Sequence, residues 1–335
     1  MVPIRTAAVF VFLGCSVACT GALLPAPRPR MPPEVWQSAV DRSHPLVGTL
    51  WSVGDHRAVT ETELAARLGA ARVVLVGETH DNPDHHLLEA RVLQMFAERH
   101  PAPAVVFEML DAPDQPAIDA TLRDHPGDAD ALALAVAWAS SGWPPWSLYR
   151  PVFEGAEASN AAILAGGINR RGAMRIASEG PAAFDAALDS TFRLHEAPPA
   201  EEQAALRREM AEAHCGLLPE AMLDSMTLVQ RTRDALLASR LHDGLAQRHG
   251  ALLVAGNGHV RRDRGVPAQL ARAFQTASIA VGLLEVRAEL ATPDAYASAF
   301  DAPALPFDYV WFTPRASDVD HCAQLREHVK AHEGS

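Results

Sequence analysis

Three short apolar runs in this chain each stop at residues that can carry a proton or a metal. Arg72-Val-Val-Leu-Val-Gly77 runs into Glu78-Thr79-His80, Ala104-Val-Val-Phe107 into Glu108, and Ala251-Leu-Leu-Val-Ala-Gly256 into Asn257-Gly258-His259. Two carboxylates and two imidazoles are the parts of a divalent-metal site, with Glu78, His80 and His259 as ligands and Glu108 as general base. They are equally the parts of a metal-free acid–base pair. The plainer alternative is helix capping and ion pairing.

Further candidates lie close by in sequence. His85-His86 opens the segment after the first run, and neutral imidazole is a common metal ligand. Arg261, Arg262 and Arg264 follow His259, and guanidinium groups grip carboxylates or phosphates with two bonds. Tyr149-Arg150 follows the aromatic stretch Trp143-Pro-Pro-Trp146. A tyrosine can ligate haem iron, and aromatic walls suit a flat apolar ligand. Met210, Met222 and Met226 fall at helical spacing and would line either a flexible pocket or the core. The chain lacks His-Glu-x-x-His, Cys-x-x-Cys, a P-loop and a Gly-x-Ser-x-Gly elbow.

Elements must hold these residues in place. The three β-branched runs read as buried strands at 72–77, 104–108 and 251–255. Asn82-Pro83-Asp84 is helix-start chemistry, and Leu87, Leu88, Val92, Met95 and Phe96 recur at helical spacing, which predicts a helix over 84–99 and a βαβ unit with parallel strands. A helix from Glu61 to Leu68 precedes it. Two short helices over 113–140, an aromatic loop to Pro151, and helices at 155–165, 201–214 and 219–247 follow, with a strand near Ile168. A helix at 266–274 and strands at 277–286 and 308–312 close the chain. The expectation is an α/β fold: a mixed, mostly parallel sheet flanked by helices, with a mainly helical insertion over 113–247. In such sheets ligands sit at the carboxyl ends of the strands, which is where the acids and histidines stand.

The chain has 335 residues, 48% apolar and 21% charged, enough for a large core and too apolar for a disordered chain. A net charge of -12 argues against nucleic acid as partner. Arg5 followed by the short apolar run Ala7 to Leu13 and small residues is a leader-peptide pattern. Cys19, after Ser16-Val17-Ala18, or its rival Cys15, is placed to receive a lipid, and a diacyl chain pair gives stable membrane attachment. An ordinary secretory cut near Ala22 is the alternative. The expected organisation is a leader over 1–19, a Pro/Arg tether over 20–40, a single domain over 41–325 and a short tail over 326–335. Cys215 and Cys322 remain, either as a disulfide of an exported protein or as two buried thiols.

Val74-Leu-Val-Gly-Glu-Thr-His-Asp-Asn-Pro-Asp-His-His86, Val106-Phe-Glu-Met109 and Gly256-Asn-Gly-His-Val-Arg261 together resemble the ChaN-like haem-binding uptake lipoproteins of the Tiki superfamily. Trp146-Ser-Leu-Tyr-Arg-Pro151, Asn169-Arg170, His214-Cys-Gly216, Gln230-Arg-Thr-Arg-Asp234 and Asp308-Tyr-Val-Trp-Phe-Thr313 extend the likeness over roughly 45–325. It implies a lipid-anchored protein of the bacterial cell envelope that binds haem for iron uptake, as a homodimer sandwiching haem and in company with an outer-membrane haem transport system. Tyr149 or a histidine such as His85 or His86 would ligate iron, Trp146 would wall the porphyrin, and Arg150, Arg261 or Arg262 would pair with propionates. The wider superfamily implies the alternative, a metal-dependent hydrolase using Glu78, His80, Glu108 and His259.

Overall fold

The structure, a computed structural model, describes residues 36–320 and 322–327. The expected leader, the Cys15 and Cys19 lipid sites and the first part of the tether lie outside them. Eight strands form one sheet: β1 (Leu50–Ser52), β2 (Arg57–Ala58), β3 (Val73–Glu78), β4 (Ala104–Asp111), β5 (Ala162–Gly167), β6 (Ala251–Gly256), β7 (Ile279–Glu285) and β8 (Tyr309–Thr313), in the order β2-β1-β8-β7-β3-β6-β4-β5. The six strands from β8 to β5 run parallel, and the β1–β2 hairpin adds antiparallel at the β8 edge. This is the mixed, mostly parallel α/β sheet expected. β3, β6 and most of β4 are buried on both faces, as parallel strands covered by helices must be.

The helices are α1 (Glu61–Ala70), α2 (Pro83–Ala97), α3 (Gln115–Asp124), α4 (Ala129–Ala135), α5 (Trp146–Ala158), α6 (Arg170–Glu179), α7 (Pro181–Phe184), α8 (Ala186–Phe192), α9 (Ala200–Ala213), α10 (Glu220–Gln247), α11 (Asn257–Val260) and α12 (Val266–Phe274). Asn82 caps α2 by accepting from the amides of Asp84 and His85, with Pro83 in the first turn. Leu88, Val92, Leu93 and Phe96 then turn into the core. β3 leads through α2 to β4 on one side, while its neighbour β6 leads through α12 to β7 on the other. The crevice where adjacent connections diverge is the expected ligand position in an open α/β sheet.

Three expectations are corrected. The stretch ending at Pro151 is not a loop: Trp146 starts α5, so Trp146, Tyr149 and Arg150 are helical residues. That helix stops at Ala158, and the 155–165 segment ends in β5, so the insertion between sheet strands is the helical run after Gly167. Asn160, at a φ of 51°, makes the turn between them. β1 and β2 escaped notice because two or three residues carry too little alternation to read as strands. Cys215 and Cys322 are joined in a disulfide, one of the two alternatives.

Candidate functional site

The register of three neighbouring strands brings the strand ends to one level. Glu78 of β3 pairs with Gly256 of β6, and Phe107 of β4 pairs with Val254. Glu78 and Glu108 therefore flank Gly256 from either side. The β4–β5 register shifts after Phe107, a bulge that re-aims the following side chain. Gly167 permits it, since a Cβ there would collide with the Glu108 carbonyl. Glu108 Oε2 accepts the Gly256 amide at 2.8 Å, and a Cβ on Gly256 would stand 3.0 Å from His80 Nε2. Glu78, His80, Glu108 and His259 are thus brought together at one rim of the sheet.

Two hydrogen-bonded groups meet there. In the first, His259 Nδ1 lies 2.6 Å from Asp234 of α10 and its Nε2 lies 3.2 Å from Glu108. Burial works against a charged His259, but the carboxylates of Glu108 and Asp234 outweigh it and hold the imidazole up to about 10. Burial likewise opposes ionisation of Glu108, yet His259 holds it down to about 2. Burial pushes Asp234 up to about 6. In the second group Glu78 Oε1 receives bonds from His80 Nδ1 at 2.8 Å and the Tyr149 hydroxyl at 2.9 Å. His86 Nδ1 lies 3.0 Å from both Glu78 Oε2 and Glu89 Oε2. Burial would raise Glu78, but its two histidines hold it well below the usual carboxylate range. Burial, reinforced by the charge of Glu78, pushes Glu89 up to about 8. His86, despite burial, is held up to about 10 by Glu89 and Glu78.

The expected metal set of Glu78, His80 and His259 does not bring its ligand atoms together. Among the described residues the group that does is Glu78, His86 and Glu89, whose ligand atoms lie within 4.8 Å of one another. Glu89 joins the cluster unexpectedly, and Asp234 and Gln230, whose amide lies 3.3 Å from His259 Nδ1, belong to a motif that carries the family resemblance but no expected site role. A His-x-x-Glu spacing at 86–89 was a legible hint for Glu89, because residues three apart share a helix face. Apart from the Gln230-Arg-Thr-Arg-Asp234 resemblance, nothing local gives Asp234, one acid among several on a long helix, a role beside His259.

The residues expected around haem are mostly committed elsewhere. Tyr149 is fully buried with its hydroxyl on Glu78, and burial pushes its ionisation far up. His85 is buried, accepts the Thr79 amide and meets the Thr313 hydroxyl, and burial holds it down to about 3, so it stays neutral. Arg150 pairs with Glu154 and Asp130, Arg262 with Asp308, and buried Arg261 with Asp263 and the Phe300 carbonyl. Trp146 lines an open groove, of about 530 Å³, with Leu134, Trp138, Trp143, Pro144 and Pro145. A second cavity of about 360 Å³ lies between Glu108, Asp111, Trp143, Arg170 and Arg233. Trp143 is the wall common to both, and its ring meets His80 edge-on at 4.8 Å. His80 is the open imidazole of the cluster, with 36% of its side chain exposed.

A parallel-sheet protein with a histidine–carboxylate cluster at its topological switch point, beside an aromatic groove, is the class that fold and site define. The chain belongs to the family described as haem-binding uptake, Tiki superfamily, ChaN, which matches residues 64–270. Among solved structures, the one described as cofacial heme binding to ChaN of Campylobacter jejuni is 19% identical, covers 78% of this chain and 95% of its own, and superposes with a TM-score of 0.55. That likeness is one of fold. The type III effector HopBA1 matches at 8% identity over 75% of this chain and 91% of its own, with a TM-score of 0.42. No curated protein matches the chain.

Proposed function

We propose that the protein binds haem on the aromatic groove, with His80 rather than Tyr149 facing the iron. The observation that carries this is the bonding of His80. Its Nδ1 is tied to the Glu78 carboxylate, while its Nε2 takes no hydrogen bond among the described residues. An imidazole oriented through one nitrogen by a carboxylate and free at the other has the bonding of a metal-ligating histidine. Trp143 beside it, with Trp146, Pro144 and Pro145, supplies an apolar wall of the kind a porphyrin face needs. Arg170 and Arg233, which line the adjoining cavity and have no carboxylate within ion-pair distance among the described residues, would receive propionates in place of Arg150, Arg261 and Arg262. Bound haem would supply an iron centre to carry. A homodimer closing this groove belongs to the same proposal, supported by Leu134, 83% exposed at its edge. So does export with a lipid on Cys19 or Cys15, which the Cys215–Cys322 disulfide supports through its demand for an oxidising compartment. No described helix is long and apolar enough to cross a membrane. Titration of haemin into the protein lacking residues 1–30 tests the binding: a saturable Soret shift is expected, and its absence overturns the proposal.

The Asp234–His259–Glu108 relay favours a second reading, a hydrolase. Efficient acid–base groups titrate near the working pH. Here Glu108, which borders the second cavity, and its partner His259 are held far from neutrality, while Asp234 and Glu89, closer to it, are fully buried. This distribution suits a fixed electrostatic wall better than proton turnover and ranks binding first. Ester or peptide hydrolysis lost in His259→Asn with an unchanged Soret shift would reverse the ranking.

A further inference from the structure

We propose that Glu78, His86 and Glu89 form a buried site for one divalent transition-metal ion, of the Mn²⁺, Fe²⁺ or Zn²⁺ class, directly behind His80. The argument begins with a tautomer. His86 Nε2 lies 3.0 Å from the backbone carbonyl of His80, which can only accept, so Nε2 carries a hydrogen. In the neutral ring Nδ1 is then a lone pair, and it faces two carboxylate oxygens, Glu78 Oε2 and Glu89 Oε2, each 3.0 Å away. With both carboxyls ionised these three acceptors require a cation between them, either a proton on His86 Nδ1 or a metal ion; without a metal, burial keeps a proton on Glu89 as well. All three side chains have no exposure, so water does not supply one.

A proton satisfies this arrangement poorly. It bonds one carboxylate at a time, and two oxygens, Glu78 Oε2 and Glu89 Oε1, are left buried without any hydrogen-bond partner. Unpaired buried carboxylate oxygens are costly. A divalent ion neutralises both carboxylates at once and takes all three donors. Ligand distances of about 2.0–2.2 Å around such an ion place neighbouring donors roughly 3–3.5 Å apart; both separations from His86 Nδ1 are 3.0 Å, and all three ligand atoms lie within 4.8 Å of one another. The Nε2 bond to the His80 carbonyl is the outer contact that orients a metal-bound imidazole. One nitrogen and two oxygens, with no sulfur, select borderline and hard first-row ions. The site differs from the Glu78, His80 and His259 set and leaves His80 Nε2 free for another ligand.

The test uses the intact soluble protein. Elemental analysis before and after dialysis against EDTA, followed by titration with Mn²⁺, Co²⁺ and Zn²⁺, should find one ion per chain, retained or rebound, and a melting temperature raised by roughly 5 °C on loading. Anomalous scattering from crystals of the loaded protein should place the ion between Glu78, His86 and Glu89. Glu89→Gln should weaken binding about 100-fold or more, beyond the loss typical of an outer-sphere partner, while His259→Asn should leave it unchanged. An ion neither retained nor rebound, an anomalous peak elsewhere, or binding lost in His259→Asn but kept in Glu89→Gln overturns the proposal. Haemin titrations of the same samples report separately on the groove, so failure of either idea leaves the other standing.

Discussion

The imidazole of His259 is tied to the carboxylate of Asp234 at 2.6 Å, across 25 residues of chain and from a short turn to a long helix. The bond orients His259 so that its other nitrogen meets Glu108. Asp234→Asn keeps the volume and removes the charge. We expect a loss of about 3 kcal/mol in urea unfolding, the scale of breaking a buried pair, and a fall in the His259 pKa by NMR titration. An unchanged pKa would show that Glu108 alone holds the proton.

Stability should fall toward both acid and alkali, for separate reasons. Glu108 is held down to about 2 in the fold, so the unfolded chain binds its proton first. That contribution is whole above the ordinary carboxylate range and is lost as pH falls toward 2, on the order of 3 kcal/mol in all. His259 is held up to about 10, so the folded chain keeps its proton longer. Its contribution is whole below the ordinary histidine pKa of about 6.5 and disappears as pH rises toward 10. Denaturant midpoints measured across pH should show both slopes, and Glu108→Gln should flatten the acid one.

Tyr149 and His80 should separate cleanly under mutation. Tyr149→Phe removes a donor to a buried carboxylate and should cost about 1.5–3 kcal/mol of stability, with haemin affinity unchanged. His80→Ala should abolish the Soret shift, and Trp143→Ala should weaken binding while keeping the band position. Loss of haemin binding in Tyr149→Phe with retention in His80→Ala would reverse the assignment.

The Cys215–Cys322 bond spans 107 residues, from just after α9 to the segment after β8. Reduction, or Cys215→Ser with Cys322→Ser, should lower stability by about 2–5 kcal/mol, read from thermal melts with and without reductant. The haemin titration should be unaffected, because the bond touches neither groove nor cluster.

Gly256, Glu78 and Glu108 show why part of the site could be read from the chain. Strand ends are local: a β-branched run, a glycine and a polar residue occur within a few positions, and an α/β pattern obliges such ends to share a face. The helix at 266–274 and the α2 core face were legible for the same reason, since cap chemistry and apolar spacing are contiguous. The helical placement of Tyr149 and Trp146 is hidden by prolines at 144, 145 and 151, which suggest a break, whereas Pro145 is the N-cap of α5 and Pro151 is tolerated within it.

The chain by itself determined the central strands β3, β4 and β6, the crossover between the first two and the four residues carried to one rim, because each follows from near-neighbour chemistry. Tertiary structure alone decided who bonds to whom. It sealed Tyr149 against Glu78, paired off Arg150, Arg261 and Arg262, left His80 open, and brought Asp234 and Glu89 from separate helices to His259 and His86. Burial and hydrogen-bond distance set those partnerships, and both depend on residues far apart along the chain.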